Sequence, residues 1–252
     1  MLFGRFRKKK LDDELDEGLR LVDESTPFAI REAYKALYTN IVYLNADSKC
    51  KKIAVTSAVS GEGKTCLSAN LAVTLAQNLE GKRVLLIDAD MRRPSVSRMF
   101  AFRGETHGLS EYLAGIDDDP HFDYVSKYKL MVLNAGGTSF NPTKLMGSER
   151  MKRLIKACES EFDYVIIDTP PINVVADAVL LNGIVDGYII STRSEYSNIH
   201  SVNQCIEKLQ HVDAEIYGIV LSDLKLKGYF GKYNRYNRYN KKYSKYEGEY
   251  GD

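Results

Sequence analysis

The chain contains no tryptophan and only four histidines, four cysteines and six prolines among its 252 residues. The cysteines, Cys50, Cys66, Cys158 and Cys205, are widely separated, so neither a disulfide framework nor a CxxC metal site is written into their spacing. They read as reduced, mostly buried thiols, and with no Cys/His cluster along the sequence a structural zinc is not expected. No apolar run reaches the roughly 18 residues of a membrane span, and the opening MLFGRFRKKK lacks the apolar segment of a secretory signal. A charge excess is missing as well. Lys and Arg number 35 against 34 Asp and Glu, so the overall balance selects no partner. Tyrosine, in contrast, is plentiful: there are 17, and seven fall in the closing YFGKYNRYNRYNKKYSKYEGEYGD.

Length allows one core with appendages, and three regions separate by pattern. Residues 1–50 are rich in charge and helix formers, with a helix expected from about Pro27 to Asn45, since proline is tolerated in a first turn. Residues 51–227 alternate short apolar runs with amphipathic stretches. Strands are expected at KIAVTS (52–57), RVLLIDAD (83–90), LMVLNAG (130–136), DYVIIDT (163–169), GYIISTR (187–193) and IYGIVLS (from Ile216). Near-continuous Val, Ile and Leu is the mark of strands buried on both faces. Between the first two strands, Leu67, Leu71, Leu75 and Leu79 line one face of a helix over Thr65–Leu79. The alternation predicts an α/β fold, a doubly wound, mostly parallel sheet with flanking helices, whose ligands bind beyond the carboxyl ends of the strands. Residues 228–252 carry no aliphatic side chain and are expected to form a flexible tail.

The strand ends hold the chemistry. Ala58-Val59-Ser60-Gly61-Glu62-Gly63-Lys64-Thr65 follows the first strand and opens the Leu-rich helix. Glycines let the backbone wrap an anion, and a helix N-terminus favours phosphate. Ser60, Gly61, Glu62, Gly63, Lys64, Thr65 and Cys66 are therefore the candidate nucleotide-binding residues, with Lys64 reaching terminal phosphates and the Thr65 hydroxyl ligating Mg²⁺. The strict pattern has Gly where Ala58 stands. The second strand ends in Asp88-Ala89-Asp90-Met91-Arg92-Arg93 and the fourth in Asp168-Thr169-Pro170-Pro171. Clustered carboxylates repel unless a cation lies among them, and Mg²⁺ suits a few carboxylates, a Thr and phosphate oxygens. A lone Asp after a strand is more often a cap or turn residue; the phosphate loop reverses that reading.

With these motifs in view, LLIDADMR (85–92) is similar to the Walker A-prime motif, VIIDTPP (165–171) to the Walker B motif, and GEGKT (61–65) to the Walker A loop of the bacterial tyrosine kinases of capsule and exopolysaccharide synthesis. The resemblance spans roughly residues 25–250. It implies a P-loop protein that uses ATP and Mg²⁺ to phosphorylate protein tyrosines, its own C-terminal cluster included. Carried over by position, Lys64 and Thr65 hold phosphates and Mg²⁺, and Asp88 acts as base or orienting group for the phenol and faces the metal. Asp90 supports metal or nucleophile, and Asp168 ligates Mg²⁺. Phosphorylation would fall on Tyr229, Tyr233, Tyr236, Tyr239, Tyr243, Tyr246 and Tyr250. Arg92 and Arg93 are either stabilisers of the transferred phosphoryl or surface arginines. The resemblance also implies a separate transmembrane chain-length regulator as activator, homo-oligomers exchanging tails, a phosphotyrosine phosphatase, and a cytoplasmic protein held at the inner face of the plasma membrane.

Departures are visible. The family's self-association helix carries two arginines where Lys35 and Tyr38 stand, while Glu32 and Thr39-Asn40 are kept. Lysine lacks the planar fork of arginine, which weakens the expectation of the usual ring. Ser60 replaces a frequent Pro, and Ser222 a usual Asn facing the base. Basic residues at Arg5, Arg7, Lys8, Lys9 and Lys10 are offset by Asp12, Asp13, Glu14, Asp16 and Glu17, so a solvated arm is expected there.

Tail tyrosines recur every three or four residues, a helical period, but the interspersed Gly and Asn oppose a helix. Two other readings stay open. One is a partition-type P-loop ATPase, although Val59 stands where those proteins place a signature lysine. The other is a nucleic-acid binder stacking tail tyrosines on bases; three strand-end aspartates are foreign to a plain binding module, and no nucleic acid is expected.

Overall fold

The computed structural model describes residues 7–9, 21–44, 49–102, 107–137 and 141–224. In chain order the elements are β1 (Arg7–Lys9), α1 (Phe28–Tyr43), β2 (Lys51–Ser57), α2 (Lys64–Asn78), β3 (Val84–Asp88), α3 (Val96–Met99), α4 (Leu109–Ala114), β4 (Phe122–Val125) and β5 (Leu130–Leu133). Then come α5 (Pro142–Met146), α6 (Glu149–Glu161), β6 (Tyr164–Asp168), a 3₁₀ turn (Val179–Leu181), β7 (Gly187–Arg193), α7 (Ile199–Gln210) and β8 (Ile216–Ser222). The strands form one eight-stranded sheet in the order β1-β4-β5-β3-β6-β2-β7-β8. Every pairing from β5 to β8 is parallel, and β4 alone runs antiparallel to its neighbour β5. The six strands expected from the apolar pattern are all present, and the sheet is the doubly wound type that pattern predicts. Strand β4 was not foreseen. The solvated arm expected at the N-terminus is corrected at Arg7–Lys9, whose backbone pairs in parallel with Asp123–Val125. An edge strand offers unpaired backbone groups for such pairing.

Side chains alternate across the sheet, which divides the core in two. Leu85, Ile87, Val165 and Ile167 face α4, α6 and α7, while Val84, Leu86 and Ile166 face α2. Continuing the period of two, Asp88 and Asp168 fall on the α2 side, and the register places them opposite each other. Because β6 lies between β2 and β3, Asp168 stands between the phosphate loop and Asp88. Helix α2 is buried from Leu67 to Ala76 almost all round, between the sheet and α1. Truncating a buried side chain such as Leu71 in that layer costs about 2–5 kcal/mol.

Helix α1 is tied down at both ends. Lys51 Nζ donates to the carbonyls of Ile41 (2.9 Å) and Val42 (2.7 Å), satisfying acceptors left open at the helix end. The segment before α1 is held by Val22 N–H donating to Asn70 Oδ1 at 2.6 Å. Glu32 and Lys35 pair with each other at 2.9 Å within α1, and Tyr38 packs against the core on the α2 side. The final helical residue expected, Asn45, and all seven tail tyrosines lie outside the described residues.

Candidate active site

The loop after β2 is built by glycine conformation and a buried brace. Gly61 and Gly63 adopt φ of 86° and 82°, the left-handed region that other residues enter at a cost. Glu62 between them is fully buried: its carboxylate accepts from Val59 N–H at 2.9 Å and from the Ser197 hydroxyl. Its carbonyl accepts from Ser191 Oγ at 2.6 Å. The Glu62 side chain therefore holds the loop closed from behind rather than facing a ligand. Tyr196 Oη donates to the Ser60 carbonyl at 2.9 Å, and a Cβ on Gly61 would come within 3.0 Å of that phenol oxygen. The first bond inside α2 runs from Leu67 N–H to the Gly63 carbonyl, so the N–H groups before it point out of the helix end, as anion binding requires.

Four charged groups converge on that end. Lys64 Nζ meets Asp90 Oδ2 at 2.7 Å. Thr65 Oγ1 donates to Asp168 Oδ2 at 2.7 Å, and Ser68 Oγ, one turn on, to Asp168 Oδ1 at 3.0 Å. Asp88 accepts from the N–H groups of Asp90 (3.2 Å), Ser95 (3.1 Å) and Val96 (3.0 Å). The neighbouring strand end is fixed by Ala89 N–H to the Asp168 carbonyl at 2.8 Å. Thr169 Oγ1 is bonded to the Val55 carbonyl and Thr56 Oγ1 to that of Pro170. The site thus rests on three adjacent strands.

Burial, followed by the charge of Asp168, pushes Asp88 up to about 7. Burial also raises Asp168, against the pull of Lys64 and the hydroxyls of Thr65 and Ser68. For Lys64, burial favours the neutral amine, but Asp168, Asp90 and Asp88 outweigh it and raise the ammonium above its usual value. Three carboxylates share one ammonium. That excess of negative charge in a buried cleft fits a divalent cation among Thr65, Asp88 and Asp168, whose oxygen-only donors suit Mg²⁺.

The structure brings Lys64, Thr65, Asp88, Asp90 and Asp168 together. Cys66 is set apart: its sulfur accepts from Asn70 Nδ2 at 3.3 Å in the seam between α1 and α2, so only its backbone faces the loop. Arg92 is also engaged elsewhere. Its Nε donates to Asp177 Oδ2 at 2.8 Å and its Nη2 to Thr143 Oγ1 at 2.8 Å, while Thr143 Oγ1 donates to Asp177 Oδ1 at 2.6 Å. Asp177 is 1% exposed, so Arg92 neutralises a buried carboxylate, the structural one of its two readings. Ser68, Tyr196, Ser191 and Ser197 were not foreseen. Only Ser68 left a trace in the sequence, as a hydroxyl one helical turn after Thr65.

A family profile described as an AAA domain matches residues 50–220. The chain is 37% identical over 206 residues to the tyrosine-protein kinase YwqD of Bacillus subtilis, covering 79% of this chain and 86% of that one. It is likewise 37% identical over 196 residues to the tyrosine-protein kinase CpsD of Streptococcus pneumoniae serotype 4, covering 77% and 85%. The chain belongs to the bacterial tyrosine kinases. In three dimensions the kinase domain of the Escherichia coli tyrosine kinase ETK superposes with a TM-score of 0.71 at 29% identity, covering 80% of each chain. The phosphate loop paired with three strand-end aspartates is foreign to the plain nucleic-acid-binding module that stood as an alternative. Among the described residues no helix is long and apolar enough to cross a membrane.

Proposed function

We propose that the protein is an ATP-dependent tyrosine autokinase whose substrates are Tyr229, Tyr233, Tyr236, Tyr239, Tyr243, Tyr246 and Tyr250 in its own C-terminal segment. The observation that carries this reading is the convergence of Lys64, Thr65, Asp88, Asp90 and Asp168 at one helix N-terminus, in a kinase-family chain ending in clustered tyrosines. The loop N–H groups bind the phosphates of ATP, and Lys64 exchanges its contact with Asp90 for phosphate oxygens. Thr65, Asp168 and Asp88 would hold Mg²⁺, which when bound would neutralise phosphate charge. Asp88 orients the incoming phenol and accepts its proton as the phenol oxygen bonds the γ-phosphorus and ADP departs.

Tail exchange between subunits of a homo-oligomer, through a surface that includes Glu32, Lys35 and Tyr38, would deliver each tail to a neighbour's site. From residue 229 to 252 six Lys and Arg face three acids, a side-chain net of +3. Seven phosphates at roughly −1.5 to −2 each would bring the segment to about −8 to −11. Graded phosphorylation would then loosen the assembly, and a phosphotyrosine phosphatase would reset it. By family, the process regulated is capsular or extracellular polysaccharide synthesis and export, with a transmembrane chain-length regulator as activator at the inner face of the plasma membrane.

The test is direct. Purified protein, with and without the activator's cytoplasmic segment, is incubated with ATP and Mg²⁺ and probed for phosphotyrosine. Signal in wild type that Lys64→Met abolishes supports the reading. ATP hydrolysis without phosphotyrosine in either condition returns the protein to the ATPase alternative.

A further inference from the structure

Two of the four histidines meet an aspartate far from the phosphate loop. His107 precedes α4, Asp117 lies in the loop after it, and His121 precedes β4. His107 Nδ1 is 2.8 Å from Asp117 Oδ2, and His121 Nε2 is 3.4 Å from the same oxygen. All three ligand atoms lie within 4.8 Å of one another. Asp117 is largely covered, whereas both imidazoles reach solvent.

We propose that His107, Asp117 and His121 form a site for a divalent transition metal of the Zn²⁺ class, separate from the catalytic Mg²⁺. Two imidazoles and one carboxylate are borderline ligands that suit Zn²⁺, Co²⁺ or Ni²⁺ and not Mg²⁺. Metal–ligand bonds of about 2.0–2.2 Å in a tetrahedron set ligand atoms about 3.3 Å apart. The observed 2.8 and 3.4 Å bracket that value on the two His–Asp edges, and the two imidazole nitrogens lie within 4.8 Å of each other. A fourth position faces solvent and is filled by water.

The surroundings are those of a held site. Arg150 Nη2 donates to the Asp117 carbonyl at 2.8 Å while its guanidinium stacks over Tyr112, fixing the loop that presents the carboxylate. The backbone N–H groups of Ile116 and Asp117 both donate to the Glu111 carbonyl, closing the turn after α4. Exposed Asp118 and Asp119 alongside add negative charge that draws cations in.

Position gives the site a consequence. Phe122, next to His121, is in register with Leu133 of β5, which is in register with Ile87, one residue before Asp88. With about 4.8 Å between strands, the start of β4 lies about 10 Å along the sheet from β3, at the same carboxyl edge as the catalytic aspartates. Bound metal would clamp the start of α4 to the start of β4, and α4 carries Glu111, which holds Gly137 N–H at 2.9 Å at the end of β5.

Chelator-treated full-length protein is titrated with CoCl₂, followed by its d–d absorption, and with ZnCl₂ by calorimetry. With millimolar Mg²⁺ present to occupy the carboxylate site beside the phosphate loop, one Co²⁺ or Zn²⁺ per chain is expected at the His107–Asp117–His121 group. His121→Ala and Asp117→Asn should each weaken binding more than the roughly 10–100-fold that loss of an outer-shell partner causes. His200→Ala, on α7, should leave it unchanged. Absence of stoichiometric binding, full competition by Mg²⁺, or equal affinity in wild type and both site variants overturns the proposal.

Discussion

Replacing Lys64 by Met should destabilise the nucleotide-free protein as well as inactivate it. Lys64 and Asp90 side chains are 12% and 4% exposed, and their 2.7 Å contact sets the Lys64 ammonium against the three aspartates of this cluster. Removing one member of a buried pair costs about 3–5 kcal/mol, because the other charge is left uncompensated. In a chain of this size each kcal/mol moves Tm by about 2–4 °C, so a fall of about 6–20 °C is expected at pH 8 in EDTA. The loss should shrink toward pH 6. Without Lys64 the buried carboxylates bind protons more readily than they do in the unfolded chain, so folding is favoured as pH falls. Adding Asp90→Asn removes the stranded charge while its amide oxygen can still accept from Arg93 N–H, as Asp90 Oδ1 does at 3.0 Å. The double variant should therefore regain most of the stability and none of the kinase activity. The assay is thermal unfolding of wild type, both singles and the double at pH 6 and pH 8. A Lys64→Met protein as stable as wild type at pH 8, or a double variant no better than the single, refutes the reasoning.

Mg²⁺ without nucleotide should raise Tm more at pH 8 than at pH 6, since Asp88, near 7, must lose its proton to receive a cation; equal shifts at the two pH values would contradict the assigned donors. The same raised value means that stability from Asp88 is full below about pH 4 and is lost as pH rises through about 7, so the EDTA-treated protein should be less stable at pH 8 than at pH 5. Arg92→Ala should lower stability by about 1–3 kcal/mol, the exposed side of the pair tempering the loss, and leave ATP affinity within about twofold of wild type. A large kcat loss at unchanged stability would instead place Arg92 on the phosphoryl group. Tyr196→Phe removes the bond to the Ser60 carbonyl, and nucleotide affinity read by calorimetry should fall by about 0.5–1.5 kcal/mol. Affinity equal to wild type would show that Tyr196 does not hold the loop.

Much of the site was legible because local pattern encodes it. Strands buried on both faces must be continuously apolar, so a polar residue ending such a run marks the carboxyl edge, and Asp88 and Asp168 are such residues. The glycines around Glu62 announce positive φ. Boundaries drifted where the loop after a strand stays buried: β5 stops at Leu133 although Asn134 and Ala135 remain buried, and β3 stops two residues short of buried Asp90. What could not be read rests on partners distant in sequence. Glu62 reads as a nucleotide-binding loop residue until Ser197, 135 residues away, is placed against its side chain. Arg92 looks free to meet a phosphate until Asp177, 85 residues away, is placed beside it. Strand β4 hid for another reason. Phe122-Asp123-Tyr124-Val125 is short, and its buried Asp123 breaks the apolar pattern, a cost offset by the bond from Asn134 Nδ2 at 3.0 Å. The His107–Asp117–His121 group likewise needs the turn after α4 to bring its members together.

The central claim is that this site phosphorylates the closing tyrosines, and mixing two variants tests it most directly. A catalytically intact chain with all seven tail tyrosines changed to Phe is combined with a Lys64→Met chain that keeps its tail. The mixture, with the activator's cytoplasmic segment, ATP and Mg²⁺, is mapped by mass spectrometry. The account predicts phosphotyrosine within residues 229–250 of the Lys64→Met chain in the mixture and none in that chain alone. Phosphate appearing only outside that segment, or nowhere despite ATP turnover, would contradict it.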